Sequence, residues 1–424
     1  MTVKKKGILD VVLVVGGKGA GIAAIFAGGV IVARLCGKDG YALFVTALNL
    51  VMLLDALIGS PMDLAVARQA AIAGPGQAES TARAQVAGLH SKWLFALLAL
   101  AVSPFFIDSM PGMPWGAAIF VLMAMGAARS SSLQFQVAHR FRAYSAFDLL
   151  QGTLRVGAFL ALAWFGVTSA PTYLVAFGAV AAVLFVLTPL VTGSSPALGK
   201  WPPLAESRVF LRHAGITAGI VAMGSITGRA DMVFLATAPN LENMHGYAAA
   251  SQVSSLFAQF AFSLAVLTQT RVVDAARRGQ LGTMVQWNAM GTLGLGLLVG
   301  GLWLAFPALP GWGLEKIFGD GFAAAAPLLA IHSVGGVLDV LIVPVLMIYA
   351  MQLKPMQTLI GEGVILVGFL VCAWAAARGW FPGQPEQAMA WTVTLARAAK
   401  LIFYIGLALP VLFRRPEADV QTCV

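Results

Sequence analysis

Residues 21–54 read GIAAIFAGGVIVARLCGKDGYALFVTALNLVMLL, two apolar runs joined by Gly37-Lys38-Asp39-Gly40. The runs extend to residues 8–34 and 41–67, and a helix needs roughly 20 apolar residues to cross a bilayer. The link between them has the glycines and charges of a turn. This stretch therefore predicts two membrane-spanning helices joined by a short loop.

The same pattern fills the chain. Only 11% of the 424 residues are charged and 59% are hydrophobic, whereas soluble domains carry about 25% charged residues. The composition excludes a soluble enzyme, and the recurrence of apolar runs excludes a single-span anchor. The runs are also too long for the alternating strands of a β-barrel. We predict an all-α polytopic membrane protein of about 12 transmembrane helices, at 8–34, 41–67, 93–109, 113–128, 149–168, 171–192, 214–238, 246–270, 287–309, 323–351, 358–380 and 388–413.

The basic residues predict the orientation. With the N-terminus in the cytoplasm, 18 of the 27 lysines and arginines fall on the inner side and three on the outer side. This asymmetry favours an even number of spans with both termini cytoplasmic. It also accounts for the net charge of +9 without nucleic acid. The cysteines, Cys36, Cys372 and Cys423, lack metal or redox spacing, and we expect no cofactor.

The longest polar connection covers residues 193–212 and divides the predicted spans into six and six. A weak repeat accompanies it, because Gly40-Tyr41-Ala42 opens the second helix and Gly246-Tyr247-Ala248 opens the eighth. We predict an N-terminal lobe (1–192), a cytoplasmic linker (193–212) and a C-terminal lobe (213–424). Two such halves would be related by an axis along the membrane normal.

Four stretches resemble a known family in the right order along the chain. ARLCGKDGYALF at 33–44 resembles the turn between helices one and two, and RADMVFL at 229–235 resembles a stretch of helix seven. HGYAAA at 245–250 and IFGDGF at 317–322 are similar to the starts of helices eight and ten. The family is the polysaccharide transporters, the Wzx-type lipid-linked oligosaccharide flippases of the multidrug/oligosaccharidyl-lipid/polysaccharide (MOP) exporter superfamily. Helix two departs from its pattern, with SPMD at 60–63 where D-L-G is more common.

This resemblance implies a MATE-like fold of two pseudosymmetric six-helix lobes around a central cavity. It implies transport of an undecaprenyl-pyrophosphate-linked oligosaccharide, an O-antigen or exopolysaccharide repeat unit, across the bacterial inner membrane. It also makes polysaccharide assembly proteins candidate partners. The protein would not be an enzyme.

Cations inside the predicted spans are the candidate substrate-binding residues. A cation at the bilayer centre costs roughly 2.5–3.5 kcal/mol, so each needs water, an acid or an anionic ligand. A guanidinium can hold a phosphate bidentately. Arg34 lies near the interface, where it can snorkel. The candidates are Lys18, Arg155, Arg229, Arg397 and Lys400.

The alternative for each cation is an acidic partner or snorkelling. Arg229 could pair with Asp231 or another acid, and Arg155 with Asp148 or Glu362. Arg397 and Lys400 lie three residues apart on one helix face, so they could hold either an anion or facing carboxylates.

Buried acids are candidates for coupling to H⁺ or Na⁺, and the alternative is a structural salt bridge. The candidates are Asp55, Asp231, Asp339 and Glu362. Helix eight also has a polar face, with Gln252, Ser255 and Gln259 at helical spacing, which could line the cavity or join helices. The glycine-rich segment 16–21 lies inside a span and lacks the order of a phosphate-binding loop, so it indicates close helix packing.

Three other functions remain open. A cation-coupled multidrug exporter of the same superfamily would have an acidic or aromatic chamber. A lipid II flippase usually has fourteen spans rather than twelve. A membrane glycosyltransferase or polymerase needs a general base and external loops, which the sequence does not provide.

Overall fold

The computed structural model describes residues 3–73, 78–106, 110, 112–138, 140–192, 204–238, 243–256, 290, 294, 297, 308–349 and 355–413. Throughout these ranges the regular structure is helical, which confirms the predicted fold class. The helices are α1 Val3–Ala73, α2 Ala78–Val102, α3 Trp115–Val137, α4 Phe141–Trp164, α5 Ala170–Thr192, α6 Leu204–Ala236, α7 244–256, α8 Leu309–Phe318, α9 Ala326–Tyr349, α10 Pro355–Ala377 and α11 Pro385–Phe413.

The two spans predicted at the N-terminus are the two arms of α1. The helix breaks at Gly37, whose φ of 71° suits a residue without a side chain. The apolar stretch Gly19–Asp63 has 45 residues, roughly 68 Å of helix at 1.5 Å per residue and enough for two crossings. Counting that stretch once, the described ranges contain nine helices long and apolar enough to cross a membrane.

Several predicted boundaries are wrong, and two of them have a clear local cause. The apolar pattern predicts that the third span begins at residue 93, but α2 begins at Ala78, and its first turns contain the charged residues that suggest a loop. Pro310-Gly311 predicts a turn, but it opens the short helix α8. Proline is accepted in the first helical turn because the amide there has no partner within the helix.

Contacts divide the chain into two compact units, Met1–Thr237 and Ala238–Val424. In the first unit α6 packs along α1, although the sequence repeat assigns this helix to the C-terminal lobe. The predicted six-plus-six division stays a prediction, and most of its linker, 193–203, lies outside the described residues.

Glycines on the first arm of α1 let it pack closely against α4. A Cβ on Gly17 would lie 2.9 Å from the carbonyl oxygen of Ser145, and a Cβ on Gly152 would lie 3.2 Å from the Cα of Gly21. Gly17 and Gly21 are four residues apart and so share a face of α1. The glycine-rich segment is thus part of a helix–helix interface, the packing role expected of small residues in membranes.

Substitution of Gly17 by alanine is expected to destabilise the protein, because the added methyl group would meet the backbone of Ser145, which cannot rotate away. We expect a loss of about 1–3 kcal/mol, typical of overpacking. Gly19→Ala is the matched control, because a Cβ at that position would have no neighbouring group within 4 Å. Thermal unfolding in detergent measures both variants, and equal melting temperatures would contradict the close packing at Gly17.

In the second unit, a buried cluster joins α7 to α9 and α11. The side-chain oxygen of Asn243 accepts a hydrogen bond from the backbone N–H of Gly246 at 3.1 Å, and the backbone N–H of Asn243 donates to a carboxylate oxygen of Glu386 at 2.7 Å. The fully buried Tyr247 packs edge-on against His332, with ring centroids 4.8 Å apart. The Gly-Tyr-Ala segments of the proposed repeat therefore share one feature, since Tyr41 and Tyr247 are both fully buried.

Candidate functional site

Arg129 on α3 forms an ion pair with Asp55 on the second arm of α1. The guanidinium Nη1 donates to a carboxylate oxygen of Asp55 and also, at 3.1 Å, to the hydroxyl of Ser60. The Asp55 side chain is 3% exposed and that of Arg129 is 41% exposed. The carboxylate lies over Gly59, where a Cβ would overlap one of its oxygens. Glycine at this position therefore leaves the room that the pair needs.

Lys92 on α2 forms a second ion pair with the same arm of α1. Its Nζ lies 2.5 Å from a carboxylate oxygen of Asp63, and it donates to the hydroxyl of Ser130 on α3 at 3.1 Å. The lysine is buried. Three helices of the first unit are therefore held together by two neighbouring ion pairs.

These pairs correct the sequence-based placement of two cations. The predicted spans 93–109 and 113–128 leave Lys92 and Arg129 just outside the membrane, among the 18 cations counted on the inner side, but both lie inside candidate membrane spans. The sequence therefore missed Asp63, Lys92 and Arg129 as interacting residues. One signal was present, because Asp55 and Asp63 are acids in an apolar helix and each requires a nearby cation.

Arg155 lies further along its helix than predicted. The predicted span 149–168 puts it about two turns from the inner end, but α4 begins at Phe141, about 21 Å before it. The residue is 6% exposed, and its guanidinium carbon lies 3.7 Å from the centre of the Phe177 ring on α5. Its Nε is buried without a hydrogen-bond acceptor among the described residues.

The acidic partners considered for Arg155 do not form an ion pair with it in the part of the chain that the structure describes. Glu362 is paired elsewhere. Asp148, two turns before Arg155 on α4, interacts with its charge at longer range and also with Arg129. Arg129 acts on Arg155 as a neighbouring like charge. A side chain that is 6% exposed also does not lie along a lipid-facing surface, as snorkelling requires.

The other candidates in the first unit have different surroundings. Arg229 on α6 is half-buried, and its Nη1 donates to the sulfur of Met52 on α1 at 3.1 Å. Asp231 is buried on the same helix. The backbone of Lys18 lies in α1, but its side chain lies outside the described part of the structure. Convergence of Lys18 and Arg229 on one cavity stays a prediction.

In the second unit, the candidate cations and the candidate acids pair with each other. Lys400 Nζ lies 2.9 Å from a carboxylate oxygen of Glu362, whose other oxygen accepts a 2.6 Å hydrogen bond from Tyr404. Arg397 Nε lies 3.2 Å from Asp339. Carboxylates therefore face both cations of α11, and substrate binding by these two cations stays a prediction.

The polar face predicted on helix eight is only partly described. Ser255 donates a 2.7 Å hydrogen bond to the carbonyl of Gln252 in its own helix. Both side chains are half-buried, and Gln259 lies outside the described residues. The described residues contain no cluster of histidine, cysteine and acidic side chains that could hold a metal ion.

Comparison with solved structures finds transporters that match almost the whole chain. A lipid II flippase, MurJ in an inward closed conformation, has a TM-score of 0.68 at 11% identity, covering 95% of this chain and 87% of its own. The eukaryotic MATE transporter AtDTX14 has a TM-score of 0.64 at 15% identity, covering 97% of both chains. The chain has the fold of the MOP-superfamily transporters.

A third structure with this fold is a MOP-superfamily transporter from Pyrococcus furiosus, with a TM-score of 0.65 at 13% identity and 96% of both chains covered. Its structure is described as having a binding pocket of reverse polarity that suggests a different function. No protein-family model matches the chain, and no curated protein matches it. The similarity therefore establishes the fold, and the substrate has to be argued from the residues.

Proposed function

We propose that the protein is a flippase that moves an undecaprenyl-pyrophosphate-linked oligosaccharide across the bacterial inner membrane by alternating access. One observation carries this proposal. Arg155 lies inside the candidate span Arg142–Trp164, is 6% exposed, and forms no ion pair among the described residues. Such a group needs an anion, and the pyrophosphate of a lipid-linked sugar is an anion that reaches this depth.

Magnitudes support an anionic ligand over a purely structural role for Arg155. Removing an ion from water costs several kcal/mol even after the surroundings relax. A cation–π contact such as that with Phe177 returns roughly 0.5–2 kcal/mol. Arg129 opposes the charge and Asp148 supports it only at longer range. A phosphate that accepts from the guanidinium would offset the remainder with charge-assisted hydrogen bonds.

The in-span acids argue against a carrier of cationic drugs. Asp55, Asp339 and Glu362 each already have a basic partner, so a cationic drug would have to displace an internal charge. The fold is shared with a lipid II flippase, and the Pyrococcus furiosus structure indicates that the polarity of the binding pocket varies within it. The four sequence stretches that resemble oligosaccharide flippases favour the lipid-linked sugar.

Other parts of the mechanism follow from this proposal. The sugar hydroxyls would meet the polar face of helix eight, while the prenyl tail stays in lipid. Coupling to H⁺ or Na⁺ would require an acid to exchange its basic partner for the ion, with Asp55, Asp231, Asp339 and Glu362 as the candidates. Both termini would be cytoplasmic, and polysaccharide assembly proteins would take up the flipped unit.

Translocation by Arg155→Ala tests the proposal. We expect the variant to fold and to move a labelled lipid-linked oligosaccharide in proteoliposomes roughly 10–100-fold more slowly. This factor corresponds to the free energy of the hydrogen bonds that a charged group makes and that the variant loses. Arg155→Lys should restore part of the rate. Gly157→Ala is a control in the same helix, because the added methyl group would meet no neighbouring group within 4 Å.

Two results would contradict the proposed function. Arg155→Ala protein that translocates at the wild-type rate would remove Arg155 from the transport path. Wild-type protein that leaves the lipid-linked oligosaccharide in place but transports a cationic dye would favour a drug exporter.

A further inference from the structure

The ion pair between Asp55 and Arg129 is unusual in the exposure of its two members. The carboxylate is almost completely buried, whereas 41% of the arginine side chain is exposed. Both hydrogen bonds described for the guanidinium, to Asp55 and to Ser60, start from the same nitrogen, Nη1. Among the described residues no other acceptor for this guanidinium is found, which leaves its remaining N–H groups to an incoming acceptor.

The exposed part of Arg129 lies near other charged and polar groups. Arg129 lies inside the candidate span Trp115–Val137, where exposure of a guanidinium to lipid would cost several kcal/mol. Asp63, Tyr144 and Asp148, from α1 and α4, also act on its charge. The exposed side of the guanidinium is therefore expected to face water or a ligand.

Charged and titratable groups from four helices surround this pair. They are Asp63 on α1, Lys92 on α2, Tyr144, Asp148 and Arg155 on α4, and Arg229 on α6, which reaches Met52 one turn before Asp55. Within this group, Asp55 pairs with Arg129 and Asp63 pairs with Lys92. In these two ion pairs the formal charges cancel.

An anion that enters this site meets a cation, Arg129, whose charge is already balanced by Asp55. An anion that binds Arg129 competes with Asp55 for the guanidinium and adds negative charge beside the two ion pairs. A buried carboxylate that loses its cationic partner is less stable in its charged form than in its neutral form. Protonation then removes the charge. Anion binding and proton uptake are therefore linked through one residue.

We propose that Arg129 is an anion-binding residue for a pyrophosphate or phosphoester group, and that Asp55 is its exchangeable counter-ion. The anion takes the guanidinium from Asp55, and the released carboxylate accepts a proton from the aqueous phase. Release of the anion reverses both steps. This site rests on the proposed function for the identity of its anion, and it gives that function a route to proton coupling.

The test measures binding and proton uptake in the full-length protein in detergent. Inorganic pyrophosphate and farnesyl pyrophosphate are the probes, titrated by calorimetry in two buffers of different ionisation enthalpy. We expect wild-type protein to take up about one proton more per bound probe than Asp55→Asn. Protons that the probe itself gains or loses on binding contribute equally in the two proteins and cancel in the difference. Equal proton uptake in the two proteins would overturn the exchange.

Arg129 is tested in the Asp55→Asn background, where the buried partner is neutral and removal of the cation leaves no lone charge. Adding Arg129→Gln should weaken probe binding roughly 10–100-fold, and unchanged affinity would overturn the site. Arg83→Gln is the control, because this arginine pairs with Glu79 on the exposed surface of α2. An equal loss in Arg83→Gln would show non-specific attraction and would also overturn the site.

The two probes separate the possible sources of the anion. Tighter binding of farnesyl pyrophosphate supports a lipid headgroup as the ligand, whereas equal affinities support the site with the phosphate group alone as the ligand. Failure of wild-type protein to bind either probe would overturn the proposal. Translocation is not measured in this experiment, so a failure of lipid-linked sugar transport would refute the proposed function and leave these binding results standing.

Discussion

Replacing Lys400 by methionine is expected to lower the free energy of unfolding by roughly 3–5 kcal/mol, because it leaves a charged Glu362 in a buried site. The side chains of Lys400 and Glu362 are 10% and 3% exposed, with 2.9 Å between Nζ and Oε2. Tyr404 donates to the other carboxylate oxygen, but one hydroxyl cannot replace a full positive charge.

The melting temperature measures this effect. A loss of that size corresponds to a decrease of roughly 6–20 °C for a unit of this length. Adding Glu362→Gln to Lys400→Met should recover most of the loss, since a neutral amide can still accept from Tyr404. Arg83→Met breaks a pair with 29% and 76% exposed side chains and should cost less than about 1 kcal/mol. A Lys400→Met protein as stable as Arg83→Met would contradict a charged, buried pair.

Replacing Gly361 by valine is expected to have the second largest effect. A Cβ at this position in α10 would overlap the ring of Phe403 on α11. The ring lies against the helix backbone at a buried position that lacks a side chain. We expect a loss at or above the upper end of the roughly 1–3 kcal/mol typical of overpacking.

The same helix supplies the control for this prediction. Gly368 also lies in α10, but it is exposed, and a Cβ there would have no neighbouring group within 4 Å. Gly368→Val should therefore change the melting temperature little, while Gly361→Val lowers it clearly. Phe403→Ala added to Gly361→Val should recover part of the loss by removing the ring. If both valine variants have the same melting temperature, Phe403 does not pack on Gly361 as described.

Features that depend on neighbouring residues could be predicted from the sequence. The apolar runs of 8–34 and 41–67 with Gly37-Lys38-Asp39-Gly40 between them predict two spans, and α1 has its break at Gly37. The glycine-rich segment at 16–21 predicts close packing, and Gly17 does contact α4. In both cases the signal is local, because helix length and residue size limit what the backbone can do.

Pairing between distant residues could not be predicted in the same way. Lys92 looks like a loop residue because charge in a sequence normally marks water. It is buried because Asp63, 29 residues earlier, faces it from another helix. Likewise, Arg155 gives no sign that Phe177 rather than an acid would lie against it. A residue's spacing along its own helix does not say which neighbouring helix covers it.

The long apolar runs are enough to identify an all-helical membrane protein, because such runs satisfy their backbone hydrogen bonds in lipid only as helices. Which of the charges in the candidate spans are already neutralised depends on how the helices pack. Asp339 and Glu362 pair with Arg397 and Lys400, whereas Arg155 is left against an aromatic ring. The physical reason is that the energy of a buried charge depends on the few groups within several ångströms, and helix packing alone brings those groups together.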